Sequence, residues 1–156
     1  MQTFVSTFGL RDRYCTELCK NSFKNLRELQ LLDCVALLDG PAYGFPQELF
    51  RLSLSGCASL RFIPSLVCNC KALTSLCIDR TLVKDTDIVS IARTCPKLHH
   101  CSVSSCSLLT NDGIAALLYN LPGLRHLVAN NLSSLSDFMF HDNHELDAIK
   151  DVCGKT

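Results

Sequence analysis

A chain of 156 residues with 47% hydrophobic content is long enough to bury one sizeable core. Its fifteen Lys and Arg balance fifteen Asp and Glu, which excludes both a basic surface for nucleic acid and an acidic tail for a cationic partner. No segment reaches the roughly 18 uncharged apolar residues of a membrane span, and the N-terminal MQTFVSTFGLRDRYC lacks a basic start followed by an apolar run. A cytoplasmic or nuclear chain is therefore expected, with no membrane and no nucleic acid among its partners. Eleven cysteines, an odd number without a secretory leader, read as reduced thiols and not as a disulfide framework.

In chain order, residues 1–25 read as a helical half-repeat. Its segment RYCTELCKNSFKNL carries Leu18, Cys19 and Phe23 on one face, and the strand before it is missing or degenerate. Five short strands follow between residues 26 and 132, each in the pattern LxxLxLxxC or a near variant: LRELQLLDC from Leu26, LFRLSLSGC from Leu49, LTSLCIDRT from Leu73, LHHCSVSSC from Leu98 and LRHLVANNL from Leu124. Successive starts lie 23, 24, 25 and 26 residues apart. The link from Val35 to Glu48, broken by Gly40, Pro41, Gly44 and Pro46, is expected to be irregular. After Thr81 the period changes to 3.6. Ile88, Ile91, Ala92 and Cys95 share one helical face, and Ile114, Leu117, Leu118 and Leu121 share another, with Thr86 and Thr110 expected as N-caps. Residues 133–156 read as a second half-repeat whose helix, HELDAIKDVCGKT, would precede a sixth strand.

This ladder is that of a leucine-rich repeat: an α/β right-handed solenoid with a parallel β-sheet on the concave side and short helices or irregular segments on the convex side, forming a single domain over residues 1–156. Aligning the repeats explains the cysteines. Cys34, Cys57 and Cys106 occupy a position that is Thr81 and Leu132 elsewhere. Cys70 and Cys95 take a place that is Phe23, Pro46 or Leu121, and Cys101 replaces a ladder leucine. A metal ligand cannot be exchanged for leucine, whereas a buried thiol behaves as a small hydrophobe. No metal site and no cofactor are expected, although Cys68 with Cys70 forms a CxC pair.

The segment DTDIVSIARTCPKLHHCSVSSCSLLTNDGIAAL resembles the cysteine-containing leucine-rich repeat of F-box/leucine-rich-repeat proteins and of antagonist of mitotic exit network-like proteins. The resemblance implies recognition of a protein client for an SCF-type ubiquitin ligase, with contacts to the ligase subunits expected of a longer product. A structural scaffold, or a ligand- or pathogen-sensing repeat region with no ligase connection, stands as the alternative.

Residues that alternate with the ladder should point outward on the concave face. They form three columns: Glu28, Arg51, Ser75, His100 and His126; Gln30, Ser53, Cys77, Ser102 and Val128; Leu32, Ser55, Asp79, Ser104 and Asn130. Of these, Glu28, Gln30, Arg51, Ser53, Ser75, Cys77, Asp79, His100, Ser102, Ser104, His126 and Asn130 are the expected protein-binding residues. Asp79, His100 and Ser102 share a side and invite comparison with a hydrolytic triad, but an open face offers no oxyanion hole, so no catalytic residue and no enzymatic activity are expected. Aspartate at Ser102 is expected to leave folding intact.

Overall fold

The computed structural model describes residues 2–7, 25–34, 44–134 and 151–153. The elements follow in the order β1 (Gln2–Thr7), β2 (Leu26–Leu32), β3 (Arg51–Ser53), α1 (Ile63–Val67), β4 (Ser75–Cys77), α2 (Asp85–Thr94), β5 (His100–Ser102), α3 (Asn111–Asn120), β6 (His126–Val128) and β7 (Asp151–Cys153). Among the described residues the seven strands are all parallel, and each pairs with its neighbour in sequence. Parallel neighbours need a long crossover; α1, α2 and α3 lie in those between β3 and β4, β4 and β5, and β5 and β6.

Two strands lie outside the five that the leucine pattern marks. β1 falls in the N-terminal half-repeat whose strand was expected to be missing or degenerate, and its Phe4 pairs with Leu29. At the other end, Asp151–Cys153 is strand and not the end of a helix; Val152 pairs with Leu127, and Cys153 with Val128. These pairings preserve the 25-residue step of the ladder, which is the physical reason they form: a backbone one repeat away is held at pairing distance. Most of the helix expected over Arg13–Leu26, and most of the irregular link from Val35, fall outside the described residues; Leu26 itself is strand, and the described part of the link, 44–48, contains neither helix nor strand.

The core is built from three ladder positions. Leu26, Leu29 and Leu31 in β2, and their equivalents in the next four repeats, are all at most 4% exposed, and each leucine, isoleucine or valine among them contributes about 1.5–3 kcal/mol by leaving water. Cys101 takes its leucine position without exposure. Strand pairing alternates sides, so the same register turns the intervening residues outward.

Each strand of the five ends in the same turn. Asp33, Gly56, Arg80, Ser105 and Asn131 occupy the eighth ladder position, and all have φ between 52° and 76°. Left-handed backbone costs a non-glycine residue about 1 kcal/mol or more, and it is repeated because it serves pairing. The amide N–H groups of Asp33, Gly56, Arg80 and Ser105 donate to the carbonyls of Ser55, Asp79, Ser104 and Asn130 at 2.8–2.9 Å, extending the ladder past the strands. At Gly56 a Cβ would also collide with the Asp33 carboxylate.

The turn drops the next residue into the core, where cysteine or threonine has a polar task. Cys57 Sγ donates to the Leu31 carbonyl at 3.3 Å and Cys106 Sγ to that of Ile78 at 3.2 Å, both in the preceding repeat, while Thr81 Oγ1 donates to its own repeat's Ile78 carbonyl at 2.7 Å. These buried donors satisfy carbonyls that would otherwise be costly to desolvate.

On the helical side, Ile88, Ile91 and Ala92 of α2 and Ile114 and Leu117 of α3 face the core as the period predicts; Leu118 is partly buried. Thr110 caps α3, its hydroxyl accepting the Asp112 amide at 3.2 Å. The expected cap at Thr86 is corrected: Lys84 occupies the N-cap position and Thr86 lies within α2. The Asp87 carboxylate reaches back to accept the Lys84 amide at 2.9 Å, completing the start of the helix. Asp85, at the first position of α2, ties the two helices together, with Oδ1 accepting the Thr110 amide at 2.9 Å and Oδ2 accepting the Thr110 hydroxyl at 2.7 Å.

Candidate functional site

Strand register assembles two of the expected columns. Glu28, Arg51, Ser75, His100 and His126 pair in sequence across β2 to β6, and Gln30, Ser53, Cys77, Ser102 and Val128 form the adjacent row. The third column continues this order through the strand-ending turns, where Asp79, Ser104 and Asn130 follow one another.

The columns differ in accessibility. Arg51 is exposed and makes a loose ion pair with Glu28 at 3.7 Å, while its guanidinium carbon sits 5.5 Å from the centre of the Phe50 ring. His100 and His126 are half-buried, with ring centroids 6.1 Å apart. Burial, reinforced by His126, holds His100 below the ordinary imidazole range; Asp79 opposes this and Arg51 adds to it. His100 is thus predominantly neutral at pH 7, donating through only one ring nitrogen.

Ser102 departs from its expected place. It is 5% exposed and donates to Asp79 Oδ1 at 2.7 Å. The same oxygen accepts the Ser104 amide at 2.7 Å, and Oδ2 accepts from Cys77 Sγ at 3.3 Å. Ser55 Oγ lies 3.0 Å from Cys77 Sγ and 3.3 Å from Ser53 Oγ, and the Asn130 amide donates to Ser104 Oγ at 3.1 Å. These contacts form a polar seam across four strands and their turns, centred on a half-buried carboxylate. The triad comparison fails on geometry, because Ser102 bonds Asp79 directly and no histidine stands between them. Aspartate at Ser102 would set two carboxylates against each other, so its expected tolerance is also overturned.

The thiols divide by environment. Burial pushes Cys57 up to about 12 and Cys95 up to about 11, and it raises Cys101 and Cys106 as well. A thiol so held is a poor nucleophile and a poor metal ligand. Cys70 is buried and directs Sγ toward the Phe45 and Pro46 carbonyls at 3.8 and 3.6 Å, whereas Cys68 is exposed, so the CxC pair is split between core and surface. Among the described residues, no three His, Cys, Asp or Glu side chains lie close enough together to hold a metal ion.

Sequence reasoning passed over the entry edge of the strands. There Arg51, Thr74, Ser75, His99 and His100 line an open depression of about 480 Å³. Arg27, His99 and Arg125, all exposed, share the second ladder position, immediately before the first column. The signal was present as arginine or histidine after the first ladder leucine in three of the five repeats. It was also missed that Arg80, at a left-handed turn, pairs with Asp33 two repeats away at 3.2 Å.

Among the described residues, no helix is long and apolar enough to cross a membrane. No family model matches the chain, and no curated protein matches it in sequence. Among solved structures, its fold is similar to that of a chain in the crystal structure of the Rad7 and Elc1 complex in yeast, with a TM-score of 0.61 and 16% identity over 82% of this chain and 41% of that one. The chain spans about two-fifths of that longer chain, and the likeness identifies the fold as an α/β repeat with a parallel sheet.

Proposed function

We propose that this chain is a leucine-rich-repeat solenoid that recognises a protein client through the concave face of its sheet, for ubiquitination by an SCF-type ligase whose other subunits perform the chemistry. The observation that carries the reading is the register-aligned polar face. Glu28, Arg51, Ser75, His100 and His126 stand on five adjacent strands, unlike in charge and hydrogen-bonding character, over a rigid apolar ladder. Such a display suits recognition of an extended protein surface, where a few well-placed polar and aromatic groups set specificity. The likeness to a chain solved in a protein complex supports a repeat that works with partners. The ligase connection rests on the resemblance of DTDIVSIARTCPKLHHCSVSSC to F-box/leucine-rich-repeat proteins. A non-enzymatic role agrees with Asp79 and Ser102 being committed to each other.

The test is affinity capture with the intact chain and with an Arg51→Ala, His100→Ala variant, read by mass spectrometry. A client lost only from the variant, alongside adaptor and cullin subunits retained by both, is the expected result. Partners captured equally by both forms would remove this face as the recognition surface. Reproducible partners without any ligase subunit would sink the ligase reading.

A further inference from the structure

His100 and His126 stand directly opposite each other on β5 and β6. The backbone holds residues paired in this way on adjacent parallel strands about 4.8 Å apart. Both side chains are half-buried, with ring centroids 6.1 Å apart and ring planes tilted by 42°. The rings are therefore not stacked, and their edges can converge on a point between them. An ion held about 2.0–2.1 Å from one nitrogen of each ring would set the centroids about 5.2 Å apart at the tetrahedral angle. The observed pair is within about 1 Å of that spacing, a gap that modest side-chain torsions close.

The surroundings also suit an ion. Burial keeps His100 predominantly neutral at pH 7, so one of its ring nitrogens carries a lone pair. Asp79 acts on His100 as a negative charge and Arg51 as a positive one. Arg51 is a strand further off, with Ser75 between, and its exposed guanidinium is drawn toward Glu28 at 3.7 Å. On the other side, β7 sets Asp151 at the register position beside His126.

We propose that His100 and His126 form an open two-histidine site for a divalent transition-metal ion of the zinc and copper class. One nitrogen of each imidazole binds the ion, and the other remains for a hydrogen bond to the frame, as in most histidine metal sites. Two protein ligands do not enclose the ion. Its remaining positions hold water in the free chain and can accept a donor side chain from a bound protein, which makes the ion a removable contact on the concave face. Imidazole suits zinc and copper, whereas magnesium and calcium take oxygen ligands. The site stands on the chain's own geometry and does not depend on the protein-recognition reading.

The experiment adds zinc to the intact, reduced chain and follows the histidine ring signals by NMR, with magnesium as the comparison ion. The His100 and His126 signals are expected to respond together along one saturating curve, and magnesium to leave both unmoved. Both imidazoles must be deprotonated to bind, so the affinity for zinc should fall as pH is lowered through about 6.5. Replacing one ligand, as in His126→Gln, should weaken zinc roughly tenfold or more and silence the response of His100. The exposed thiol of Cys68 is a competing ligand, and Cys68→Ser should leave the histidine response unchanged. The joint response, the ion selectivity and the pH dependence are all read on the unsubstituted chain, so the test stands even where a variant folds poorly. A response of one histidine without the other overturns the site, as does a His100 response that survives His126→Gln. Equal shifts with magnesium, or loss of the response in a folded Cys68→Ser variant, overturn it too.

Discussion

Gly113→Ala should destabilise this protein, although the same change in a helix usually helps. Gly113 lies in the first turn of α3, where alanine is favoured by up to about 1 kcal/mol through helix propensity. A Cβ at this position would strike the Asp85 carboxylate and the Leu109 side chain. Asp85 cannot retreat without releasing the Thr110 amide and hydroxyl, and Thr110 in turn caps the helix through Asp112. Hydrogen bonds to a charged acceptor are worth about 1.5–3 kcal/mol each; for this half-buried pair the lower end applies, about 2–3 kcal/mol together. The net loss is about 1–2 kcal/mol, or roughly 2–8 °C in melting temperature for a chain of this size. Thermal and urea melts followed by circular dichroism provide the assay, in a cycle with Asp85→Ala. Once the carboxylate is gone the alanine should cost little, giving a coupling of about 2 kcal/mol. A Gly113→Ala protein as stable as the parent, or an additive cycle, would refute the reasoning.

Three further outcomes are expected. Ser105→Gly should raise stability by roughly 0.5 kcal/mol, since φ of 58° strains serine by more than glycine loses in unfolded-chain entropy; a lower urea midpoint would contradict the turn geometry. Ser102→Asp should lower stability by about 3 kcal/mol or more, because it confronts Asp79 with a second carboxylate at a buried site; an unchanged melt would mean that Ser102 faces solvent. The buried thiols should make the fold labile to alkali. Cys57 and Cys95 are raised to about 12 and about 11, whereas an unfolded thiol ionises near 8.5, so their contribution is complete below about pH 8.5 and declines as pH rises toward those folded values. The slope is up to about 1.4 kcal/mol per pH unit for each thiol, and urea melts at pH 8 and 10 that coincide would count against it.

The ladder of β2 to β6, its register and its inward residues were legible in the chain, because a buried position repeated every 23 to 26 residues leaves an apolar mark wherever it recurs. For the same reason Cys34, Cys57, Cys70, Cys95, Cys101 and Cys106 read correctly as core: plain apolar residues or threonine stand in their places in other repeats. β1 and β7 were not legible, since Phe4 and Val152 replace the ladder leucine and only pairing with β2 and β6 reveals their positions. The helix faces followed from period alone, yet the start of α2 moved from Thr86 to Lys84 because the Asp87 carboxylate, not a hydroxyl, satisfies the first amide.

At the site, sequence alone determined which residues share a column, because alternation along a strand is a local rule. It could not determine which of those residues would be available. Ser102 and Asp79 lie 23 residues apart, as Asp85 and Thr110 lie 25 apart, and only stacking one repeat on the next brings them within 2.7 Å. Tertiary structure therefore decided that the centre of the face is a closed polar seam, while Arg27, Arg51 and Arg125 stay exposed at the strand entry edge. Hydrogen-bond partners across repeats are chosen by proximity in space, which no pattern along one repeat encodes.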